Sequence, residues 1–567
     1  MSPRGARRPL ASERFRCSGE TSRRALALRI FFGVSPAPDH ASGWAPLHHP
    51  AFRRLWAAQF TSNIGSWMQT VAAQLVMVSL TRSALLLSAV SAASSLPVLL
   101  LAVPAGTLGD LLDRRRLILF SQTIMLTAAV GLAVASALGG LTPGVLLGLL
   151  FVIGTGGALS APTWQTLQPE LVPDSDRREA IVLGSVNQNL ARAIGPAIGG
   201  LLLAASSAAV VFLTNAISFL AVLGAVAVTA VPVRKLTLPR EHVAAAVRAS
   251  GRFVGNSPIL LALIARSIAF VFMAGAIWAL LPLIARQRLG LGPAGYGLLL
   301  GCVGVGALAA ATFGPALTRR LAPRSIYALA CLVVAACAAI LAVTHSVLLA
   351  VLVLVAAGAA WITGLGLLGS AYQGQLPAWV KARSYSYYLV GFQGASAIGA
   401  LCLGGVAQAS SVSTAFLILS GGLILAAIAT WRLAIPDSAS AAGSMADPQP
   451  LPEIEGEVRD GPVLVTVEYP LAPGNAEAFI DSARELRGLR RRTGAVRWHL
   501  HRELEDSDRF IETFLVGSWE EHERQHARLT GGDRDVFDRI DLLLRPGRVR
   551  SARHALGVRP AHGRREH

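Results

Sequence analysis

One arginine, Arg192, stands near the middle of an apolar run that begins at Ile181 and ends at Ala205, inside "NQNLARAIGPAIGG" (187–200). A guanidinium carries a fixed positive charge and five N–H donors but no acceptor, so its chemistry there is anion binding or hydrogen bonding to carbonyls. Ser185 and Asn189 share its helical face at i, i+4, i+7 spacing. An earlier run carries a polar stripe of Gln59, Asn63, Ser66, Thr70 and Gln74, and later runs hold Arg266, Gln393 and Ser396. Converging, these side chains would line a wet cavity. Acids are missing from the set: between Glu179 and Asp437 the only one is Glu241. A cavity with Arg192 and Arg266 and no carboxylate favours anionic or acidic substrates. It also denies proton coupling its usual intramembrane carboxylate, leaving Asp110 or Asp113 at a mouth, or a proton carried by the substrate. Two readings of Arg192 stand together. In one it contacts substrate or coupling ion; in the other it is structural, bonded to carbonyls freed by Pro196 or reaching to a helix end. The Gln/Asn stripe divides the same way, between cavity lining and inter-helix hydrogen bonding.

The elements that position these residues follow from composition. The chain has 567 residues, 53% hydrophobic and only 15% charged, with mean hydropathy +0.52. Such a chain lacks the polar surface a soluble protein needs and reads as a polytopic membrane protein. Apolar runs fall near 55–80, 84–108, 117–138, 143–163, 180–204 and 208–231, then 258–284, 294–317, 325–343, 347–371, 385–408 and 412–433. Alternate loops carry the arginines ("DRRR" 113–116, "DSDRR" 174–178, Arg234, Lys235, Arg240, Arg319, Arg320, Lys381), so the net charge of +18 marks a cytoplasmic side and basic tails rather than a nucleic-acid partner. "QTLQPELV" (165–172) and "QGQLPAWV" (373–380) align Gln165 with Gln373, Pro169 with Pro377 and Val172 with Val380, an echo expected of two related halves. The expected organisation is a basic disordered tail (1–50), a six-helix bundle (51–233), a central cytoplasmic loop (234–257), a second six-helix bundle (258–435) and a linker (436–460). A small α+β domain (461–545) and a basic tail (546–567) follow.

In that small domain "PVLVTVEYPL", "AVRWHLHREL" and "RFIETFLVGSW" read as strands, with amphipathic helices over 475–493 and 520–529. His499 and His501 share one strand face, and His522 and His526 sit at i, i+4 on a helix, but neither pair has a metal-site or catalytic context. The five cysteines have no ligand or disulfide spacing. No metal and no cofactor are expected.

"PAGTLGDLLDRRR" (104–116) resembles the signature loop of the major facilitator superfamily. Gly106, Asp110, Arg114 and Arg115 match, while Leu111 and Asp113 stand where the family has a basic residue and a glycine. The resemblance implies a gate, made of Gly106, Asp110, Asp113, Arg114 and Arg115, that breaks in each cycle. "ARAIGPAIGG" (191–200) resembles the family's antiporter signature, with Gly195, Pro196, Gly199 and Gly200 in place and Ala191 for the first glycine. It implies a close-packed, bent seam. With "FRRLWAAQFTSNIGSWMQTVA", "APTWQ" and "YYLVGFQGASAIGALCLGG", residues 50–435 resemble the transmembrane secretion effector branch, enterobactin exporters included. Residues 461–545 are similar to the antibiotic-biosynthesis-monooxygenase type, a ferredoxin-like fold that commonly dimerises.

The expectation is an all-α polytopic protein of twelve transmembrane helices in two halves, plus that α+β domain. It would export a small lipophilic molecule, anionic or neutral, such as a drug, siderophore or secondary metabolite, by proton-coupled antiport across an inner or plasma membrane, with both termini cytoplasmic. Substrate or coupling contacts fall to Gln59, Asn63, Thr70, Asn189, Arg192, Arg266 and Gln393, and the partners are membrane lipids, substrate, protons and a second copy through the C-terminal domain. The rival reading is a membrane-tethered enzyme or ligand sensor; removal of 437–567 separates the two.

Overall fold

The computed structural model describes residues 44–111, 113–229, 243–318, 320–377, 379–432, 435 and 461–557. The tail up to Gly43, Arg234, Lys235, Arg240, Glu241, Arg319 and the linker 436–460 lie outside the described residues. Six long helices come first: α1 (Pro50–Leu80), α2 (Ala84–Leu111), α3 (Arg114–Ala137), α4 (Pro143–Glu170), α5 (Arg177–Ala205) and α6 (Ala208–Val228). After a shorter helix, α7 (Val243–Gly255), come α8 (Pro258–Leu283), α9 (Pro293–Thr318), α10 (Pro323–Val343), α11 (Val347–Gly374), α12 (Lys381–Ala409) and α13 (Val412–Thr430). The boundaries follow local chemistry. Proline opens α1, α4, α8 and α10, where its missing N–H costs nothing. Asp113, Thr142, Ser346 and Ser411 cap α3, α4, α11 and α13 through their side chains. Among the described residues ten helices are long and apolar enough to cross a membrane. The two long helices outside that set, α1 and α5, are those that carry the Gln/Asn stripe and Arg192. The stretch 234–257, expected as a loop, contains α7.

The halves meet through α2 against α12 and α5 against α9. Small residues permit both crossings. A Cβ on Gly200 would lie 2.6 Å from the Pro293 carbonyl oxygen and 2.9 Å from Gly297 Cα. Gly304 faces the Ala193 backbone and Gly404 faces Ser88. Within the first half, Gly195 meets Trp67 Cβ at 2.7 Å and Gly199 meets Met68 Cα at 2.7 Å. Glycine here supplies close approach rather than unusual torsion.

Hydrogen bonds between the halves gather at the end away from the basic loops. Gln74 Nε2 donates to the Trp278 carbonyl at 3.2 Å, the Ala84 N–H to Gln408 Oε1 at 2.8 Å, and Arg286 to the Val78 carbonyl at 3.2 Å. The Tyr296 hydroxyl also donates to Gln74. Among the described residues the polar contacts toward the basic end stay inside one half, as in Asn63 with Asn187 and Tyr372 with the Ser384 carbonyl.

The C-terminal unit runs β1 (Val463–Pro470), α14 (Ala476–Thr493), β2 (Arg497–Arg502), β3 (Arg509–Val516), α15 (Trp519–Ala527), α16 (Gly531–Asp541) and β4 (Ser551–Leu556). Its antiparallel sheet has the order β2-β3-β1-β4. The domain therefore runs past the expected boundary at 545. "SARHAL" carries little β-propensity, and it is tertiary pairing with β1 that makes it an edge strand. Alternate residues of β1 (Val463, Val465, Val467, Tyr469) pack on Phe479, Leu486 and Phe537. Glu512 lies fully inside this core. It accepts from Arg490 at 3.0 and 3.1 Å, from the Tyr469 hydroxyl at 2.9 Å and from Trp498 Nε1 at 2.7 Å, so the buried charge is matched. His499 and His501 are exposed, whereas His522 is buried with its Nε2 3.0 Å from His554 Nε2.

Burial holds His522 down to about 4 and His526 down to about 3, below the ordinary 6.5. An unfolded chain would therefore take up these protons first. The contribution is intact above about pH 6.5 and is lost as pH falls toward 4, at roughly 1.4 kcal/mol per pH unit for each histidine. Hydrogen exchange of the full chain at pH 5 and pH 7, corrected for intrinsic rates, is expected to show weaker protection of β3 and α15 at pH 5. Equal protection would mean that these histidines are hydrated in solution.

Candidate functional site

A cavity of about 450 Å³ lies between the halves at mid-depth. The first half supplies Ser66, Trp67, Gln69, Thr70 and Gln74 from α1, Ser91, Ser94 and Ser95 from α2, Gly154 and Gly157 from α4, and Arg192 and Pro196 from α5. The second half supplies Trp278 of α8, Trp361 of α11, and Phe392 and Ser396 of α12. The two walls differ in chemistry. On the second half Trp278 meets Trp361 edge-on at 5.3 Å, and Trp361 meets Phe392 at 6.5 Å, a continuous aromatic surface. The first half sets hydroxyls, amides and one cation among apolar side chains such as Val90, Met125, Leu150 and Ile153.

Among the described residues Arg192 is the only charged one of the lining. Its guanidinium lies over the Trp67 ring at 5.3 Å, and its Nε is buried without a hydrogen-bond partner among the described residues. A proline at 196 leaves free the carbonyl four residues back, which is Arg192's own. Among the described residues the side chain thus meets a π-face but no counter-ion, a chemistry suited to an anionic group.

The other expected site residues separate. Thr70 lines the cavity while donating to the Ser66 carbonyl at 2.9 Å. Gln59 and Asn63 lie nearer the basic end and are engaged across helices: Gln168 donates to Gln59, and Asn63 Nδ2 donates to Asn187 Oδ1 at 2.8 Å. Asn189 bonds back to the Ser185 carbonyl at 3.0 Å. Arg266 is buried against α10 and α13, donating to the Thr430 carbonyl at 2.6 Å with its guanidinium 5.8 Å from the Tyr327 ring. Neither Arg266 nor Gln393 is part of the lining. Arg266 stands nine residues before Gly275, which does line the cavity, and nine residues turn a helix through half a circle beyond two full turns. It therefore faces away. The aromatic wall was not anticipated, although bulky aromatics at mid-span, rather than at the ends, were its signal.

At the basic end the gate residues resolve into different roles. Gly106 and Asp110 belong to the last turns of α2, and their side chains lie outside the described ones. Asp113 caps α3, accepting from the Arg116 N–H at 3.0 Å. Arg114 is buried and pairs with Glu170 at the end of α4, a residue not singled out from sequence. Arg115 donates to the Ala227 carbonyl in the last turn of α6, where a cation complements the helix dipole. Glu170→Gln is expected to lower the midpoint of thermal unfolding in detergent, corresponding to roughly 1–2 kcal/mol. In a double-mutant cycle with Arg114→Gln the two losses should be less than additive. Additive losses would show that the pair does not interact in solution.

Comparison with known proteins agrees with this arrangement. Residues 41–560 match the family described as transmembrane secretion effector. The chain is 28% identical over 277 residues to the uncharacterized MFS-type transporter YfiS of Bacillus subtilis, covering 46% of this chain and 64% of that protein. It is 29% identical over 171 residues to the staphyloferrin A transporter of Staphylococcus aureus (30% of this chain, 43% of that one). With macrolide efflux protein A of Streptococcus pyogenes it shares 26% over 189 residues (33% and 45%). The matches thus span less than two thirds of these relatives' own lengths. Among solved structures, a bacterial homologue of the human lysosomal transporter Spinster superposes with a TM-score of 0.55 at 15% identity, over 68% of this chain and 97% of that one. A POT family transporter in complex with 5-aminolevulinic acid gives 0.56 at 14% identity, over 67% and 94%. These structures establish the helical fold, and the family match extends over nearly the whole sequence. This chain is a multi-pass membrane protein of the major facilitator type and belongs to the transmembrane secretion effector family.

Proposed function

We propose that the protein is a secondary transporter that exports small lipophilic molecules, acidic ones by preference, through alternating access of its two halves. The observation that carries this reading is Arg192, without a counter-ion among the described residues, set opposite an aromatic wall in a central cavity. A planar or amphiphilic substrate would lay its apolar body on Trp278, Trp361 and Phe392 and its anionic group on Arg192. The relative named for macrolide efflux supports export, and the staphyloferrin A transporter supports carriage of a small molecule. All twelve long helices would span the plasma membrane, with the basic loops and both termini on the cytoplasmic side. Joining of the halves at the opposite end then corresponds to a cavity reached from the cytoplasm.

Protons are the proposed coupling ion. The lining holds no carboxylate among the described residues, so the proton moving inward in exchange for substrate would pass through the basic-end acids Asp110, Asp113 and Glu170. Gly195, Pro196, Gly199 and Gly200 would serve as the packing seam about which α5 moves. The sheet order β2-β3-β1-β4 supports a ferredoxin-like reading of the C-terminal domain, whose exposed sheet face suits pairing with a second copy. Membrane vesicles with an imposed pH gradient test the proposal, using a panel of labelled acidic and neutral amphiphiles. Gradient-dependent movement of the acidic members is expected; its absence, with the protein present and folded, would refute the transport reading.

A further inference from the structure

The C-terminal domain rests on the bundle through a small, chemically distinct set of side chains. Its helix α14 lies against α7, the helix between the halves. Arg252 of α7 reaches Glu521 of α15 at 3.4 Å. The same carboxylate accepts from Arg528 at 2.7 and 3.3 Å. Arg528, only 5% exposed, lies over the Trp379 ring with its guanidinium 4.5 Å from the centroid. Trp379 belongs to the connection between α11 and α12, and Phe253 of α7 meets its ring edge-on at 5.7 Å. At the start of α12, Tyr387 donates to the Val247 carbonyl of α7 at 3.1 Å. Every bundle partner in this set belongs to α7 or to the second half.

A desolvated guanidinium stacked on an indole from another part of the chain is the kind of anchor that carries docking energy. A carboxylate approached by Arg252, Arg528 and Arg524 is a switchable one, because neutralising it leaves like charges facing one another. The position matters because α7 joins the halves, and rocking would otherwise move it independently. We propose that the C-terminal domain is an intramolecular brace that pins α7 to the second half through Glu521 and Trp379, so that α7 and the second half turn as one body. The role in turnover rests on the alternating-access reading above; the docking does not.

The test uses the full chain in lipid nanodiscs, with Glu521→Gln and, outside the domain, Trp379→Ala. Amide exchange across 243–257 is expected to accelerate about tenfold in both variants, while the β1 and β3 amides stay protected. In vesicles the maximal export rate should fall about threefold or more at unchanged KM, as it should after removal of 436–567. Unchanged exchange of α7 in both variants overturns the docking. Faster exchange with unaltered export overturns the brace while leaving the docking intact. A wild-type protein that exports nothing refutes the transport reading, and the exchange measurement still decides whether the domain docks.

Discussion

Replacing Arg192 by alanine is expected to reduce export of acidic amphiphiles by about two orders of magnitude, while neutral ones of the same size change by less than about threefold. The magnitude follows from two charge-assisted hydrogen bonds formed in a cavity that water shares only partly. Arg192→Lys keeps the charge but not the planar fork, so roughly a tenth of the rate should remain. Stability separates the two readings of this residue. A structural arginine would cost stability when lost. A half-buried cation whose one contact among the described residues is the Trp67 ring should, once removed, leave the melting midpoint nearly unchanged. Initial rates in vesicles at matched expression, with a melting curve for each variant, supply both readouts. Unimpaired export of acids together with a lowered midpoint would make Arg192 a packing residue, and the acid preference would fall with it.

Much of this arrangement was legible in the chain, for identifiable reasons. Most helix ends came out within four residues because apolar runs stop near Pro143, Pro258 and Pro323 and where charged loops begin; α1 starts five residues before the run at 55–80, and α4 runs on seven residues past 163 to Glu170. The seam at Gly195, Gly199 and Gly200 was legible because small residues four apart must face one neighbour. Which neighbour was not: Gly195 and Gly199 meet α1, whereas Gly200 meets α9 of the other half. The helix α7 escaped notice because thirteen residues with three arginine- or serine-bearing turns read as a basic loop. Polar residues in an apolar span do not announce their partners. Gln59 and Asn63 share a face with Ser66 and Thr70, yet one pair is met by Gln168 and Asn187 and the other by the cavity. Only the packing of α4 and α5 against α1 decides which. Arg266 could have been set aside by counting turns from Gly275, had the cavity face of α8 been known.

The second large effect concerns the joint between the halves. Gly200→Val is expected to lower export at least tenfold by wedging α5 away from α9. On both sides of this crossing the obstruction is backbone: a Cβ on Gly200 lies 2.6 Å from the Pro293 oxygen, and one on Gly297 lies 2.5 Å from the Pro196 oxygen. No flexible side chain can yield, so the strain falls on the joint, at roughly 1–3 kcal/mol. A penalty confined to the joined conformation shifts its population about 5- to 150-fold toward one open at this end. Spin labels at Ser206 in the first half and His345 in the second, both exposed, read the shift as a longer distance. Gly148→Val, with nothing within 4 Å of its Cβ, controls for bulk alone. If Gly200→Val lengthens the distance and stops export, the crossing is the seam on which closure depends. If export stops with the distance unchanged, the fault lies in substrate access beside Pro196, which lines the cavity four residues away. Because the crossing sits at the end where Gln74, Ala84 and Arg286 bridge the halves, those bonds should fail in the first case and survive in the second. Accessibility of a cysteine placed at Val78 distinguishes the two directly.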